Sequence, residues 1–220
     1  MSEGDHDPWG AEGPAEPPAP RPPVRPPGAS RTAFVRASLV LYGAMGCAAL
    51  VWRMRFGGES ILYPGGPDTI AAAWDPVVAG LAGAGVGLAV VLSSELMTRF
   101  TRLGRALADL LGESLAGIGV GDALLLALAS GLGEEMLFRG ALQPAVGLVW
   151  ASVIFGACHF LPRRELALWS LWAVLVGAGF GWLFERTGHL AAPVAAHVVV
   201  NAINLPRLAR RATASTPGAR

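Results

Sequence analysis

Residues 131–140 read GLGEEMLFRG. They interrupt one of the most apolar parts of the chain: GVGDALLLALAS precedes them at 119–130, and Ala141 and Leu142 resume the apolar run behind them. Two adjacent glutamates and an arginine in a helix of membrane quality are costly unless paired or hydrated. Glu135 and Arg139 are four apart, so they share a helix face and can pair. Glu134 points about 100° away from Glu135 on a helix of 3.6 residues per turn. Arg139 then neutralises one carboxylate and leaves the other without a partner, an arrangement suited to proton transfer.

Composition supports the membrane reading. Of the 220 residues, 53% are hydrophobic and 15% charged, and the mean hydropathy is +0.47, whereas a soluble domain carries about 25% charged residues. The net charge is +1, and all 17 cationic residues are arginine. No basic stripe interleaves with aromatics, so nucleic acid is not an expected partner. Cys47 and Cys158 are far apart and neither forms a metal or redox motif; they read as small buried hydrophobes.

Residues 1–32 hold more than half of the 17 prolines and almost no large apolar side chains. Such a segment cannot bury enough surface to offset its ordering entropy and reads as a disordered tail, proline-rich and cytoplasmic. Residues 33–208 form the expected transmembrane domain, with a motif-bearing core at 120–206, and 209–220 a cytoplasmic C-terminal tail. A helix needs about 20 apolar residues to span a bilayer, which places spans at roughly 35–52, 77–97, 120–142, 146–162, 166–184 and 190–206. Between Arg99 and Leu115 the apolar residues Leu103, Ala106, Leu107, Leu110 and Leu111 recur at helical spacing beside Arg102, Arg105 and Asp109, as in an interfacial amphipathic helix. The expected fold is an all-α polytopic bundle of about six spans. With the N-terminus inside, 13 arginines fall on the inner side and 3 outside, so the positive-inside rule puts both termini in the cytoplasm. Gly83 with Gly87, and Gly177 with Gly181, are small-xxx-small pairs that let helices approach closely. No long repeat of the inverted-transporter kind is visible.

Two further polar positions interrupt the apolar runs. His159 stands four residues after Phe155 in FGACHF, and His197 stands four before Asn201 in HVVVN. A lone histidine near a helix end is ordinarily structural, and a His/Asn pair can glue helices by hydrogen bonding. Taken together, three spans each supply an ionisable or amide group while few other polar side chains compete at that depth. Two imidazoles, a spare carboxylate and an amide around a wet cavity have the composition of a reaction site. The span edges put Glu134 near mid-membrane and His159 near the cytoplasmic edge, so tilt or inward hydration is needed for them to meet.

The ordered trio E-E-x-x-x-R, F-x-x-x-H and H-x-x-x-N, each on a hydrophobic helix, resembles the CPBP intramembrane proteases, also called the Abi or CAAX-protease and bacteriocin-processing family. The resemblance covers about residues 120–206 and shows no departure at the motif positions. It implies a helical bundle with a cavity open to the cytoplasmic side. It also implies that Glu134 acts with His159 to activate water, that His197 and Asn201 stabilise the oxyanion, and that Glu135, Arg139 and Phe155 shape the site. Peptide hydrolysis needs a base that takes a proton from water and returns it to the leaving amine, and donors aimed at the tetrahedral oxygen. Ser130 and Cys158 lack the surroundings of a nucleophile.

Family members have often been labelled metalloproteases. Glu134, His159 and His197 are the zinc-ligand set should a metal take part, but the helical H-E-x-x-H is absent and the expectation is a glutamate mechanism without cofactor. Expected partners are a peptide or membrane-protein substrate and membrane lipids, in a bacterial inner membrane. A proton-coupled transporter using the same three residues as a relay, and a non-catalytic membrane scaffold or immunity protein, are the competing readings.

Overall fold

The computed structural model describes residues 27–57, 59–160 and 164–215. Nearly all of the tail expected at 1–32, and the end of the C-terminal tail, lie outside them. Among the described residues the chain is helical and without strands: α1 (Pro27–Trp52), α2 (Pro67–Ala71), α3 (Pro76–Phe100), α4 (Arg102–Ser114), α5 (Val120–Glu135), α6 (Gln143–Cys158), α7 (Arg164–Thr187) and α8 (Ala191–Ser215). A π-helical turn, Arg53–Gly57, closes α1, and a π-helical segment, Met136–Leu142, joins α5 to α6. The first helix starts at Pro27, so the tail boundary expected at residue 32 falls inside it.

Three stretches are long and apolar enough to cross a membrane: Arg31–Gly57, Pro76–Phe100 and Val120–Cys158. The chain is an integral membrane protein. The 39-residue stretch Val120–Cys158 is two limbs. Helical geometry breaks at Gly147, whose φ of 80° and ψ of 165° belong to a region that essentially only glycine occupies. The reversal lies just beyond Pro144, a little later than the span edges suggested. With α7 and α8, six helical limbs follow one another in the order of the expected spans, three stretches among them having the length and hydropathy of a crossing.

The eighth helix is the hub, packing on α3, α4, α5 and α7. Lipid is as apolar as leucine, so close backbone approach rather than hydrophobicity binds such helices. Gly83 and Gly87 bring α3 onto the carbonyls of Ala192 and Ala196. Gly133 does the same between α5 and α1: a Cβ there would stand 2.5 Å from the Tyr42 carbonyl oxygen. Amphipathic α4 is capped by Thr101, whose hydroxyl accepts from the Gly104 N–H at 2.9 Å. It buries Gly104, Leu107, Ala108 and Gly112 and is tied to α8 by Asp109 and Arg211. Leu103 remains 46% exposed, so the apolar stripe divides between protein and surroundings. Both cysteines are free and exposed, contrary to the expectation of burial: in a membrane helix the apolar neighbour can be lipid as well as core.

At the end of the molecule opposite α4, the π-helical turn buries Arg53, which donates from Nη2 to the Ser60 and Tyr63 carbonyls, both at 3.1 Å. The Leu190 and Trp74 N–H groups donate to Leu62 O and Thr187 O, each at 2.8 Å. These bonds close the loop between α1 and α3 over the α7–α8 corner.

Candidate active site

The EE pair ends α5 where the helix widens into its π segment; such segments recur at functional sites. Glu135 is fully buried and Arg139 is 1% exposed. Their Oε1–Nη1 distance is 3.1 Å. Arg139 also donates from Nη2 to the Gly177 carbonyl at 2.9 Å, and its guanidinium lies 4.5 Å from the Phe155 ring centroid, within cation–π range. Gly177 thus does more than permit close packing: any side chain there would crowd Phe155 and Arg139. One turn on, Gln143 repeats the pattern, donating from Nε2 to Gly181 O at 3.0 Å and to Glu185 Oε1 at 2.9 Å.

The two glutamates have different surroundings. Glu135 Oε1 also meets His197 Nδ1 at 2.6 Å. Glu134 does not touch Arg139; its Oε2 is buried without a hydrogen-bond partner among the described residues and lies 3.8 Å from His159 Nε2 and 4.0 Å from His197 Nε2. Three polar atoms from α5, α6 and α8 therefore converge on one point. Both motif histidines present Nε2 because Nδ1 is occupied. His159 Nδ1 lies 2.8 Å from the Phe155 carbonyl, which can only accept, so Nδ1 carries a proton and Nε2 presents a lone pair whenever the ring holds a single proton. His197 Nδ1 faces the Glu135 carboxylate, the arrangement by which a carboxylate orients an imidazole and complements the imidazolium when it forms.

Asn201 stands one turn further along α8 and donates from Nδ2 to Ser130 Oγ at 2.9 Å. Ser130 in turn donates to the Ala127 carbonyl at 3.2 Å. Ser130 thus holds the Asn201 amide from α5, a contact that sequence reasoning missed: its signal was a small polar side chain one turn before Glu134 in an otherwise apolar helix.

Glu134 and His159 stand at one level of the bundle. Glu134 precedes Gly147 by 13 residues and His159 follows it by 12. At about 1.5 Å per residue both lie roughly 18–20 Å from the turn. The limb carrying His159 ends at Cys158, well short of a full span, and the histidine reaches Glu134 without inward hydration of a long helix.

Glu134, Phe155, His159, His197 and Asn201 line one cavity of about 780 Å³. Its wall continues along α8 to Arg207, Arg210 and Arg211, with α4 across it, and α7 adds Trp169, Trp172, Val176 and Phe180. A polar stripe on α8 thus faces an aromatic wall on α7. For zinc, bonds of about 2.0–2.1 Å in tetrahedral geometry put donors about 3.3 Å apart. The Glu134–histidine distances are half an ångström or more wider, and no metal-holding group of three or more His, Cys, Asp or Glu occurs among the described residues.

The fold and site define a polytopic membrane bundle with a buried glutamate–histidine centre. Residues 117–203 match the family model of Rce1-like type II CAAX prenyl endopeptidases, one of the CPBP, or Abi, group of families. Over 82 residues the chain is 42% identical to the uncharacterized protein YpbD of Bacillus subtilis (strain 168), covering 36% of this chain and 42% of that relative. The matched part is thus under half the length of the relative. No solved structure matches.

Proposed function

We propose that this protein is an intramembrane endopeptidase that hydrolyses a peptide bond with water activated by Glu134 and His159. The observation that carries the reading is the convergence of Glu134 Oε2, His159 Nε2 and His197 Nε2 at 3.8–4.0 Å inside a cavity. Polar atoms at that separation suit a bridging water. The water donates to the carboxylate and to the His159 lone pair, and its oxygen attacks the scissile carbonyl. A new C–O bond forms, Glu134 takes the proton, and the carbonyl oxygen takes the charge. Asn201 holds a second N–H for that oxygen, oriented by Ser130, and His197 contributes as an imidazolium backed by Glu135. Collapse breaks the C–N bond as the proton passes to the leaving amine.

The substrate is a peptide or membrane-protein segment, since the aromatic wall suits apolar side chains. The arginine-rich ends at α4 and α8 favour a cytoplasmic cavity mouth in a bacterial inner membrane. The donor spacing supports a reaction without metal, and no step is routed through one.

The test is purified protein in detergent with a quenched fluorescent peptide library, beside Glu134→Gln and after exhaustive chelation. Cleavage by the wild type, lost in Glu134→Gln and kept after chelation, is expected. Full cleavage by Glu134→Gln overturns the glutamate role, and activity lost to chelator and restored by zinc overturns the metal-free route. Proton flux in liposomes that depends on Glu134, without cleavage, would favour a transporter.

A further inference from the structure

Counting the hydrogen-bond donors around Glu134 shows a shortage. His159 commits Nδ1–H to Phe155 O, and His197 Nδ1 is taken by Glu135. Asn201 gives one N–H to Ser130. The hydroxyls of Ser130 and Ser94 donate to the Ala127 and Val91 carbonyls of their own helices. A tetrahedral oxyanion is stabilised by preorganised donors pointed at it, and this set leaves one amide N–H, beside the Nε2–H that His197 carries only as an imidazolium.

Two hydroxyls in the same cavity, those of Tyr42 and Thr98, form no hydrogen bond among the described residues. Tyr42 on α1 lines it together with Glu134. The backbone explains its position. Gly133, directly before Glu134, has no side chain to hold α1 away, and the Tyr42 carbonyl sits against it. One turn later Gly46 meets Met136, so α1 follows α5 through the start of the π segment. Among the described residues no hydrogen bond binds the Tyr42 hydroxyl to a helix carbonyl.

We infer that Tyr42 supplies a further oxyanion donor, its O–H joining the free N–H of Asn201 and the His197 imidazolium on the developing negative oxygen. The inference rests on the endopeptidase reading. It places a catalytic group on α1, outside the segment 117–203 that matches the family, and gives that helix a function beyond packing.

Tyr42→Phe removes the hydroxyl and keeps the ring. With a peptide that the wild type cleaves, loss of one oxyanion donor lowers kcat about 100- to 1,000-fold, with KM within twofold and the thermal midpoint unchanged. The control is Tyr63→Phe, at the far end of the molecule, expected to keep wild-type kcat. Wild-type kcat in Tyr42→Phe, with Glu134→Gln inactive, overturns the inference and leaves the endopeptidase reading standing. A raised KM with a lowered thermal midpoint and unchanged kcat assigns Tyr42 to packing and also overturns it. No cleavage by the wild type of any library peptide overturns the reading and the inference together.

Discussion

Glu134 and Glu135 are chemically identical neighbours with opposite duties, and stability separates them. Glu135 compensates a buried guanidinium and holds an imidazole. Removing one partner of a buried ion pair strands the other and costs about 3–5 kcal/mol. Glu134 Oε2 has no hydrogen-bond partner to strand. Glu135→Ala should therefore lower the thermal midpoint sharply, while Glu134→Ala leaves it level or slightly higher, and both should lose cleavage. Equal destabilisation by the two substitutions would contradict this division. Much of the site was legible at this scale because charged or amide side chains are so costly in apolar runs that each one asks for a reason. Glu134, Glu135, Arg139, His159, His197 and Asn201 announce themselves in that way. Tyr42 and Ser130 do not, since a tyrosine and a serine are cheap anywhere in a membrane helix, and only the neighbours across the bundle give them meaning. Which nitrogen each histidine presents was likewise invisible, because it depends on the Phe155 carbonyl and on Glu135.

At the scale of elements, the turn at Gly147 sets the register of the whole site. It places Glu134 and His159 at one level on antiparallel limbs, and the spans read from hydropathy missed this because they took the fourth run to be full length. An apolar run ends in sequence at Pro162, but the helix ends at Cys158, and hydropathy cannot distinguish the two. The backbone at Gly147 is closed to other residues, so Gly147→Ala should cost about 1–3 kcal/mol and reduce kcat by displacing His159. Gly85→Ala in the middle of α3 is the comparison: nothing lies within 4 Å of a Cβ there, its φ is not positive, and alanine in a helix interior gains roughly 0.5–1 kcal/mol over glycine. Thermal unfolding of the two variants side by side checks both signs. The π segment was also beyond reach of the sequence, where 3.6-residue spacing already accounted for the Glu135–Arg139 pair. The amphipathic stretch at Arg99–Leu115 was readable because its periodicity survives among charged residues, and it is the helix α4.

For the whole molecule, the cavity end and the opposite end depend on different bonds. The far end is closed by the loop between α1 and α3 and by His189, whose Nδ1 accepts from the Ala191 N–H at 3.0 Å at the start of α8. The Tyr63 ring packs edge-on against it, centroid to centroid 5.2 Å. Burial holds the His189 imidazole below the usual histidine range, partly offset by the Asp75 carboxylate. The neutral ring is also the one that can accept from Ala191, because a protonated Nδ1 would set donor against donor. A histidine that resists protonation when folded binds fewer protons than in the unfolded chain, whose value is about 6.5. Stability then rises with pH through the window below about 6.5 and is lost as pH falls through it. The thermal midpoint in detergent should therefore drop between about pH 7.5 and pH 5, and His189→Asn, which keeps an acceptor near Ala191 and removes the titration, should flatten the drop. Since α8 carries both this anchor at its first turn and His197 two turns later, loosening the anchor should also reduce cleavage in the same pH window. If His189→Asn leaves the pH dependence of stability unchanged, the far end is not the acid-labile part of the fold.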